Sequence, residues 1–274
     1  MPIISLLTDY GSRDAYVGVV KGVILGIVPQ ATIVDVTHEI EPYNVAHAAF
    51  VLRQVWPWFP AGTVHLIVVD PGVGSERRII VGKYAGQYVV APDNGLVTWV
   101  HRDFACEAMH VAEDRRYFLP KLSTTFHGRD IMAPVAAHLA SGVKLRNFGR
   151  VADRLETLPM PLRAERMGSG WRGEVVYVDR FGNLVTNIQE EQLAPPPSAE
   201  AWGVSVDGVN VGPIRITFSD AAVGSPAAYF GGVGFLEIAI NQGRAVERFG
   251  ATPIVEVSLP PNTSEHTSAL TPKR

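Results

Sequence analysis

The stretch IISLLTDYGSRDAYVGVVKGVILGIVPQATIVDVT, residues 3–37, decides the fold class of the first half of the chain. Its first residues, 3–8, form a mostly apolar run that is typical of a strand buried on both faces. Residues 14–28 place apolar side chains on one face of a helix, and Pro29 ends that helix. Residues 32–37 predict a second strand, so the stretch reads as strand, helix, strand.

The same alternation continues towards the middle of the chain. The sequence predicts further strands at 63–69, 79–83 and 87–91 and further helices at 44–55 and 129–140. Asn44 is the expected N-cap of the first of these helices, and the strongly apolar strand at 63–69 is expected to be central. Strands that alternate with helices form a largely parallel sheet that the helices cover. Residues 1–150 are therefore predicted to form an α/β domain with a mostly parallel sheet.

The pattern changes in the second half of the chain. Residues 151–172 mix charged residues with prolines and glycines, which is typical of a linker. Residues 173–260 show strand signals and almost no helix signal, and the dipeptide Asp207-Gly208 is a strong hairpin sequence. This segment is predicted to be a small all-β, barrel-like domain. The polar residues 261–274 are predicted to form a frayed tail.

Composition limits the class of protein. Of the 274 residues, 47% are apolar and 19% are charged, which supports a buried core and excludes a disordered chain or a coiled coil. The 24 basic and 27 acidic side chains give a net charge of −3. No basic surplus exists to neutralise phosphates, so no nucleic-acid partner is expected. The balance fits a cytoplasmic enzyme or binding protein.

Neither membrane insertion nor an internal disulfide is expected. The first residues lack a basic region and reach Asp9 almost at once, which argues against a signal peptide. The longest apolar stretch, 17–28, is interrupted by Lys21 and is too short to span a bilayer. The single cysteine, Cys106, cannot form an internal disulfide and is expected to be a small core residue.

Ionisable side chains stand where the predicted strands end. In open parallel sheets, ligands bind beyond the carboxyl ends of the strands. Asp9 follows the first strand, Asp70 follows the strand at 63–69, and His127 precedes the last predicted helix. Asp9 alone is better explained as a residue that caps the next turn, and Asp70 and His127 are each explained equally well by a turn or a helix cap. Three such clusters on one rim favour a functional site.

Metal and nucleotide motifs are weak. The eight histidines form no pair at ligand spacing, and a guanidinium from Arg77 close to Asp70 would already satisfy that carboxylate. No metal site is therefore expected. No Walker loop is present, and the glycines at 72–74 and 231–234 lack the spacing or the setting of a dinucleotide fingerprint.

Six segments in this order resemble one enzyme family, the S-adenosyl-L-methionine (SAM) hydrolases, also described as SAM hydroxide adenosyltransferases. Fluorinating and chlorinating SAM enzymes are their relatives. The matching segments are TDYGSRDAYVG (8–18), VDPGVGSERR (69–78), APDNG (91–95), TFHGRD (125–130), YVDRFGNLVTNI (177–188) and GFLEIAIN (234–241). The resemblance implies an N-terminal α/β domain, a linker and a C-terminal β-barrel. It also implies a homotrimer whose substrate site lies between the N-terminal domain of one subunit and the C-terminal domain of its neighbour.

The resemblance implies that water attacks C5′ of the ribose of SAM and displaces the sulfonium, which gives adenosine and L-methionine. The catalytic set of the family falls on Asp70, Arg77 and His127. No cofactor is implied beyond the substrate itself. The halogenating relatives carry other residues at the positions of Asp70 and of His127-Gly128, which favours hydrolysis. The residue that takes the proton stays open.

The resemblance also assigns substrate contacts in the first domain and in the second. Asp9 matches the aspartate that holds the ribose diol, Tyr43 matches an aromatic near the ribose and sulfonium, and Phe126 completes the set in the first domain. Asp179 and Asn183 match residues that hold the methionine ammonium and neighbouring polar atoms. Asn183 is explained equally well as a turn residue.

The adenine ring is expected to pack between aromatic side chains of the second domain. Phe181 and Phe218 match those aromatics, with barrel-core packing as the alternative. Gly232 and Val233 occupy the positions at which relatives carry a Ser-Arg or Ser-Ser pair that binds the methionine carboxylate and adenine. Backbone N–H groups are expected to take over that role here.

Two other functions compete with SAM hydrolysis. A halide-dependent SAM transferase would release 5′-halo-adenosine instead of adenosine. A sensor would bind SAM or adenosine and release neither adenosine nor methionine.

Overall fold

A computed structural model describes residues 1–160, 162–193 and 202–259. The chain divides into two compact units, Met1–Pro159 and Met160–Arg274. The predicted tail at 261–274 lies outside the described residues. Within the described ranges, no helix is both long and apolar enough to cross a membrane.

The first unit follows the predicted alternation of strands and helices. Its elements are β1 (Ile3–Thr8), α1 (Tyr16–Ile27), β2 (Thr32–Thr37), α2 (Val45–Val55), β3 (Val64–Val68), β4 (Ile79–Tyr84), β5 (Gln87–Pro92), α3 (Thr98–Asp103), β6 (Cys106–Val111) and α4 (Ala133–Ala140). Asn44 caps α2 as predicted, because its side chain accepts a hydrogen bond from the backbone N–H of His47 at 2.9 Å. The predicted strands and helices of this unit are confirmed to within a few residues.

Four features of this unit were not predicted. Helix α3 has only six residues, which is too short for a helical periodicity to show, and β6 lacks the alternation of a half-buried strand. Cys106 begins β6 at the edge of the sheet and is exposed, so the prediction of a core cysteine is wrong. The last predicted helix starts as a π-helical turn, Gly128–Met132, before α4.

The sheet of the first unit is mixed. Its order is β2-β1-β3-β5-β4-β6. Strand β1 pairs in parallel with β2 and β3, and β3 pairs in parallel with β5, whereas β4 pairs antiparallel with both β5 and β6. The antiparallel part arises because only the two-residue turn Ala85-Gly86 joins β4 to β5, and so short a connection allows only a hairpin.

Strand β3 lies at the centre of the sheet, as predicted, and all five of its residues are buried. Its neighbour β1 is buried over five of its six positions. Because β1 and β3 are adjacent and parallel, Asp9 and Asp70 follow their carboxyl ends at the same edge of the sheet. Helices α1 and α4 contribute Val20, Ile24 and other apolar side chains to the same core.

The second unit is barrel-like. Its elements are β7 (Glu165–Met167), β8 (Gly170–Val178), β9 (Leu184–Gln189), β10 (Gly203–Val206), β11 (Val209–Arg215), β12 (Pro226–Phe230), β13 (Phe235–Ile240), α5 (Ala245–Phe249) and β14 (Ile254–Ser258). The sheet order is β14-β10-β11-β12-β13-β9-β8-β7, and an additional pairing of β14 with β8 closes the barrel. The predicted Asp207-Gly208 hairpin is confirmed by the pairing of Val206 with Val209. An α/β unit followed by a barrel-like all-β unit is thus the fold that the sequence predicts.

The segment predicted as a linker, 151–172, carries structure at both ends. Near its start, Arg78 donates to the Asp153 carboxylate and to the Arg154 carbonyl, which fastens the segment to the first unit. Near its end, β7 and β8 form a hairpin around Gly168, whose φ of 58° explains the glycine. Because the segment is rich in charged residues and glycines, its composition alone predicts neither the contacts of Arg78 nor the hairpin.

A buried histidine in β3 is part of the core. His65 is fully buried, stacks on Trp56, and accepts at Nδ1 from the Ser5 hydroxyl at 2.6 Å. Its Nε2–H donates to Gln87 Oε1 at 2.8 Å, and Gln87 in turn donates to the Trp56 carbonyl. Both ring nitrogens of the neutral imidazole are therefore satisfied. Burial lowers the pKa of His65 to about 4.

We expect His65 to make folding sensitive to acid. Because its pKa is depressed in the folded state, the unfolded chain binds a proton first, and stability falls as the pH drops from 6.5 towards 4. This difference in pKa corresponds to about 3 kcal/mol. Urea unfolding at pH 7 and pH 4 should therefore show a larger loss of unfolding free energy in wild type than in His65→Gln, with His110→Gln behaving like wild type. Equal losses in all three proteins would contradict this expectation.

Candidate active site

A cleft opens at the carboxyl ends of β1 and β3, where the sequence places its ionisable clusters. Its volume is about 370 Å³, within the range of small-molecule sites. The lining residues are Asp9, Tyr10, Tyr16, Pro42, Tyr43, Val68, Asp70, Val73, Thr125, Phe126, His127 and Gly128. The structure thus brings together Asp9, Tyr43, Asp70, Phe126 and His127, all of which the sequence analysis singled out.

Asp70 and Arg77 form a bidentate ion pair at the wall of this cleft. Arg77 donates from Nε to one carboxylate oxygen of Asp70 and from Nη2 to the other. The two side chains are only 6% and 9% exposed, so little water competes for these bonds. A tight loop joins them, and Gly74, with a φ of 81°, lies so close to the Thr124 carbonyl that a Cβ atom there would clash. This loop explains why a spacing of seven residues brings the pair together.

Arg77 also contacts His127. Its Nη2 lies 3.0 Å from His127 Nδ1, and a guanidinium has only donors, so Nδ1 holds a lone pair and the proton of the neutral ring sits on Nε2. Burial and the charge of Arg77 lower the pKa of His127, and the charges of Asp70 and Asp130 offset part of that effect. This lowered pKa favours the neutral form of His127 at pH 7.

The backbone beyond His127 is held by a buried carboxylate. Asp130, fully buried in the π-helical turn, accepts from the Ser123 backbone N–H at 2.6 Å and from the guanidinium of Arg129. Burial raises the pKa of Asp130, but these hydrogen bonds outweigh it and the net pKa is lowered. A π-helical turn of this kind is frequent at functional sites.

Gly128 allows the cleft to close tightly beside His127. A Cβ atom at Gly128 would lie 2.5 Å from the Tyr10 hydroxyl and 2.9 Å from a methyl carbon of Val68. Any larger residue would force the side chains of Tyr10 and Val68 to shift. The tyrosine hydroxyl thus packs directly over the backbone next to His127.

Asp9 and several aromatic rings form another part of the cleft lining. Asp9 accepts a hydrogen bond from the backbone N–H of Tyr43 at 2.9 Å. Tyr43 has a φ of 68° and a side chain that is 72% exposed. Phe126 packs edge-on against Tyr10 and Tyr16 at centroid distances of 5.9 and 5.3 Å. Sequence reasoning missed both tyrosines as cleft residues, although they stand beside Asp9 in the segment 8–18.

The second unit carries a separate hollow of about 460 Å³. Its lining residues are Phe181, Asn183, Phe218, Ala239, Ile240, Gln242, Gly243 and Arg244. Phe181 is 73% exposed and Phe218 is 46% exposed, which excludes the alternative that these rings belong to the barrel core. The hollow is mostly apolar, and Asn183, Gln242 and Arg244 are the hydrogen-bonding side chains in its lining. Sequence reasoning missed Arg244, because a single arginine after β13 carries no pattern.

Asp179 and Asn183 form one turn. The carboxylate of Asp179 accepts from the backbone N–H and from the side-chain amide of Asn183, at 2.8 and 2.9 Å. Asn183 therefore both shapes the turn and faces the hollow. Gly232 and Val233 lie in the turn between β12 and β13 and line neither the cleft nor the hollow. Among the residues that the structure describes, no three His, Cys, Asp or Glu side chains are grouped to hold a metal ion.

Comparison with known proteins matches the whole architecture. The SAM hydroxide adenosyltransferase N-terminal domain matches residues 4–149, and the C-terminal domain of that family matches residues 173–258. A crystal structure of an uncharacterized conserved protein from Thermotoga maritima is 39% identical, with a TM-score of 0.87, and the match covers 93% of this chain and 99% of that one.

Curated relatives give the same result. A protein from Thermus thermophilus named (R)-S-adenosyl-L-methionine hydrolase is 38% identical over 89% of this chain and 94% of its own length. A protein of the same name from Salinispora tropica is 38% identical over 92% of this chain and 95% of its own length. A fluorinase from an Actinoplanes species is more distant, at 30% identity over 88% of this chain and 91% of its own length. Since both domains of the family match, this chain belongs to the SAM hydroxide adenosyltransferase family.

Proposed function

We propose that the protein hydrolyses SAM, with water attacking C5′ of the ribose to give adenosine and L-methionine. The observation that carries the proposal is the joining of Asp70, Arg77 and His127 in the wall of a cleft that also holds Asp9. The names of the curated relatives, (R)-S-adenosyl-L-methionine hydrolases, support the same reaction. The fluorinases are more distant, which favours water over halide as the nucleophile.

The charges of the reaction suit a dry site. The bond from the water oxygen to C5′ forms while the bond from C5′ to sulfur breaks, and the electron pair leaves on a neutral thioether. No acid is needed at sulfur, and one proton is released from the water. A hydroxide-like oxygen that approaches a sulfonium partly cancels its charge, so removal of bulk water favours the transition state over the separated ions. The substrate itself supplies the leaving group, and we propose that no cofactor takes part.

The hydrogen-bond pattern favours Asp70 as the group that receives the water proton. The lone pair of His127 at Nδ1 is used by Arg77 and its Nε2 carries a proton, so the neutral ring has no free lone pair that could accept the water proton. Each oxygen of Asp70 keeps a second lone pair besides the one that Arg77 occupies. In this proposal Asp70 accepts from the water, His127 orients it, and Arg77 stabilises the negative charge that develops on oxygen.

The proposed contacts with the ribose and adenine of SAM come from the first and the second unit, respectively. In the first unit, Asp9 would accept from both hydroxyls of the ribose diol, beside Tyr43 and Phe126. In the second unit, the exposed rings Phe181 and Phe218 would pack against adenine, as suits solvent-facing aromatics on an apolar hollow.

The methionine end of the substrate is assigned to the turn regions of the second unit. Asp179 and Asn183 would bind its ammonium group, and the backbone N–H groups of Gly232 and Val233 would bind its carboxylate. Catalysis thus belongs to the first unit, and recognition of adenine and methionine to the second. We propose a cytoplasmic homotrimer in which the second unit of each subunit completes the cleft of its neighbour.

The fate of the water oxygen tests the proposed reaction. We expect incubation of the purified protein with SAM in ¹⁸O-labelled water to give unlabelled L-methionine and adenosine that carries one ¹⁸O at its 5′ hydroxyl. Added chloride or fluoride should change neither product. Formation of 5′-halo-adenosine would show a halide-dependent transferase instead, and retained ligand without any product would show a binding protein.

The pKa of His127 predicts an acid limb in the activity. Since burial and Arg77 place this pKa below its ordinary value of 6.5, kcat/KM for SAM should be constant around pH 7 and fall at lower pH. A protonated ring loses the Nδ1 lone pair and repels the guanidinium of Arg77. The acid limb should disappear in His127→Gln, which has lower activity, and persist in His110→Gln. The same limb in all three proteins would assign the titration to another group.

A further inference from the structure

The segment APDNG, residues 91–95, matched the family but has no part in the reaction as proposed so far. It forms the end of β5 and the turn that follows, and it lies beside the cleft rather than in its lining. Its two polar side chains, those of Asp93 and Asn94, are buried and half-buried. Polar groups in such places require partners, and the partners show what the turn does.

Asn94 holds the chain just before Asp70. Its side-chain Nδ2 donates to the carbonyl of Val69 at 3.0 Å. Val69 is fully buried and follows the last residues of β3 that pair with β1 and β5, so the sheet offers its carbonyl no partner. A buried carbonyl without a hydrogen bond is costly. The amide of Asn94 therefore fixes the peptide from which Asp70 projects.

Asp93 holds the chain just after Arg77. Its backbone N–H donates to the carbonyl of Arg78 at 2.9 Å, and its buried carboxylate accepts from Nε of the Arg78 side chain, also at 2.9 Å. The second oxygen of that carboxylate accepts from the backbone N–H of Glu156 at 2.9 Å. Arg78, the residue directly after Arg77, is thus held through both its backbone carbonyl and its side chain.

We propose that Asn94 is a positioning residue for the ion pair of Asp70 and Arg77. Asn94 is hydrogen-bonded to the residue before the loop 70–77, and Asp93 is hydrogen-bonded to the residue after it. The ion pair joins the first and last residues of the loop. Small errors in the position of a reacting group cost large factors in rate, about 100-fold for a displacement of 1 Å. This inference rests on the proposed function, since it assigns Asn94 a role in that reaction.

The substitution Asn94→Asp isolates the hydrogen bond to Val69. It keeps an oxygen that can accept from the Leu96 backbone N–H, as Asn94 does now at 3.3 Å, but it loses the donor. The matched control is Asn210→Asp, an exposed position in the second unit whose side chain also accepts from a backbone N–H, that of Gly212. Both changes add one negative charge.

We expect Asn94→Asp to lower kcat by about 10- to 100-fold while KM for SAM and the affinity for adenosine change less than about threefold. Asn94→Ala should behave alike, and Asn210→Asp like wild type. In an Asp70→Asn background, Asn94→Asp should cause no further loss, because the residue acts through Asp70.

Several results would overturn the proposal. An unchanged kcat in Asn94→Asp would show that the residue does not position the ion pair. A full further loss of kcat in the Asp70→Asn background would show that it does not act through Asp70. Loss of both adenosine binding and folding in the two Asn94 variants would show that its role is only structural. Wild type and Asn210→Asp are assayed alongside. If wild type forms no adenosine, the proposed function is wrong. If wild type is active and Asn94→Asp is equally active, only the role of Asn94 is wrong.

Discussion

The guanidinium of Arg77 connects the parts of the candidate site. It holds both oxygens of Asp70, which follows β3, and the Nδ1 atom of His127, which lies 50 residues further along the chain from Arg77. A buried cation is costly unless its donors are used, so the fold must bring both partners to it. This contact also sets the tautomer of His127, and together with burial it lowers the pKa of the ring. It leaves free lone pairs on Asp70 and none on the neutral ring of His127.

The rest of the first unit can be understood as support for that contact. Parallel pairing of β1 with β3 places Asp9 and Asp70 at one edge, and His127, whose ring contacts Arg77, directly precedes the π-helical turn. The turn after β5 grips the loop that carries the ion pair. The second unit contributes an apolar hollow with exposed rings, which suits recognition of a flat heterocycle rather than chemistry.

Patterns with a repeating physical cause were predictable from the sequence, and isolated contacts were not. Apolar runs and the cap at Asn44 predicted the strands and the second helix, because burial and capping leave periodic or local signals. Helix α3 is too short to leave such a signal, and strand β6 is too exposed. The exposed position of Cys106 in β6 was therefore not predictable. The bond from Asn94 to Val69 spans 25 residues, and no local pattern encodes a contact of that kind.

The substitution Arg77→Lys tests the central claim most directly. Lysine keeps the positive charge but cannot donate to both oxygens of Asp70 and to His127 in one plane. We predict that kcat for adenosine formation falls by about 100-fold or more while adenosine affinity stays within about threefold, and that Arg116→Lys, at an exposed ion pair with Asp114, matches wild type. A kcat for Arg77→Lys close to that of wild type would contradict the account.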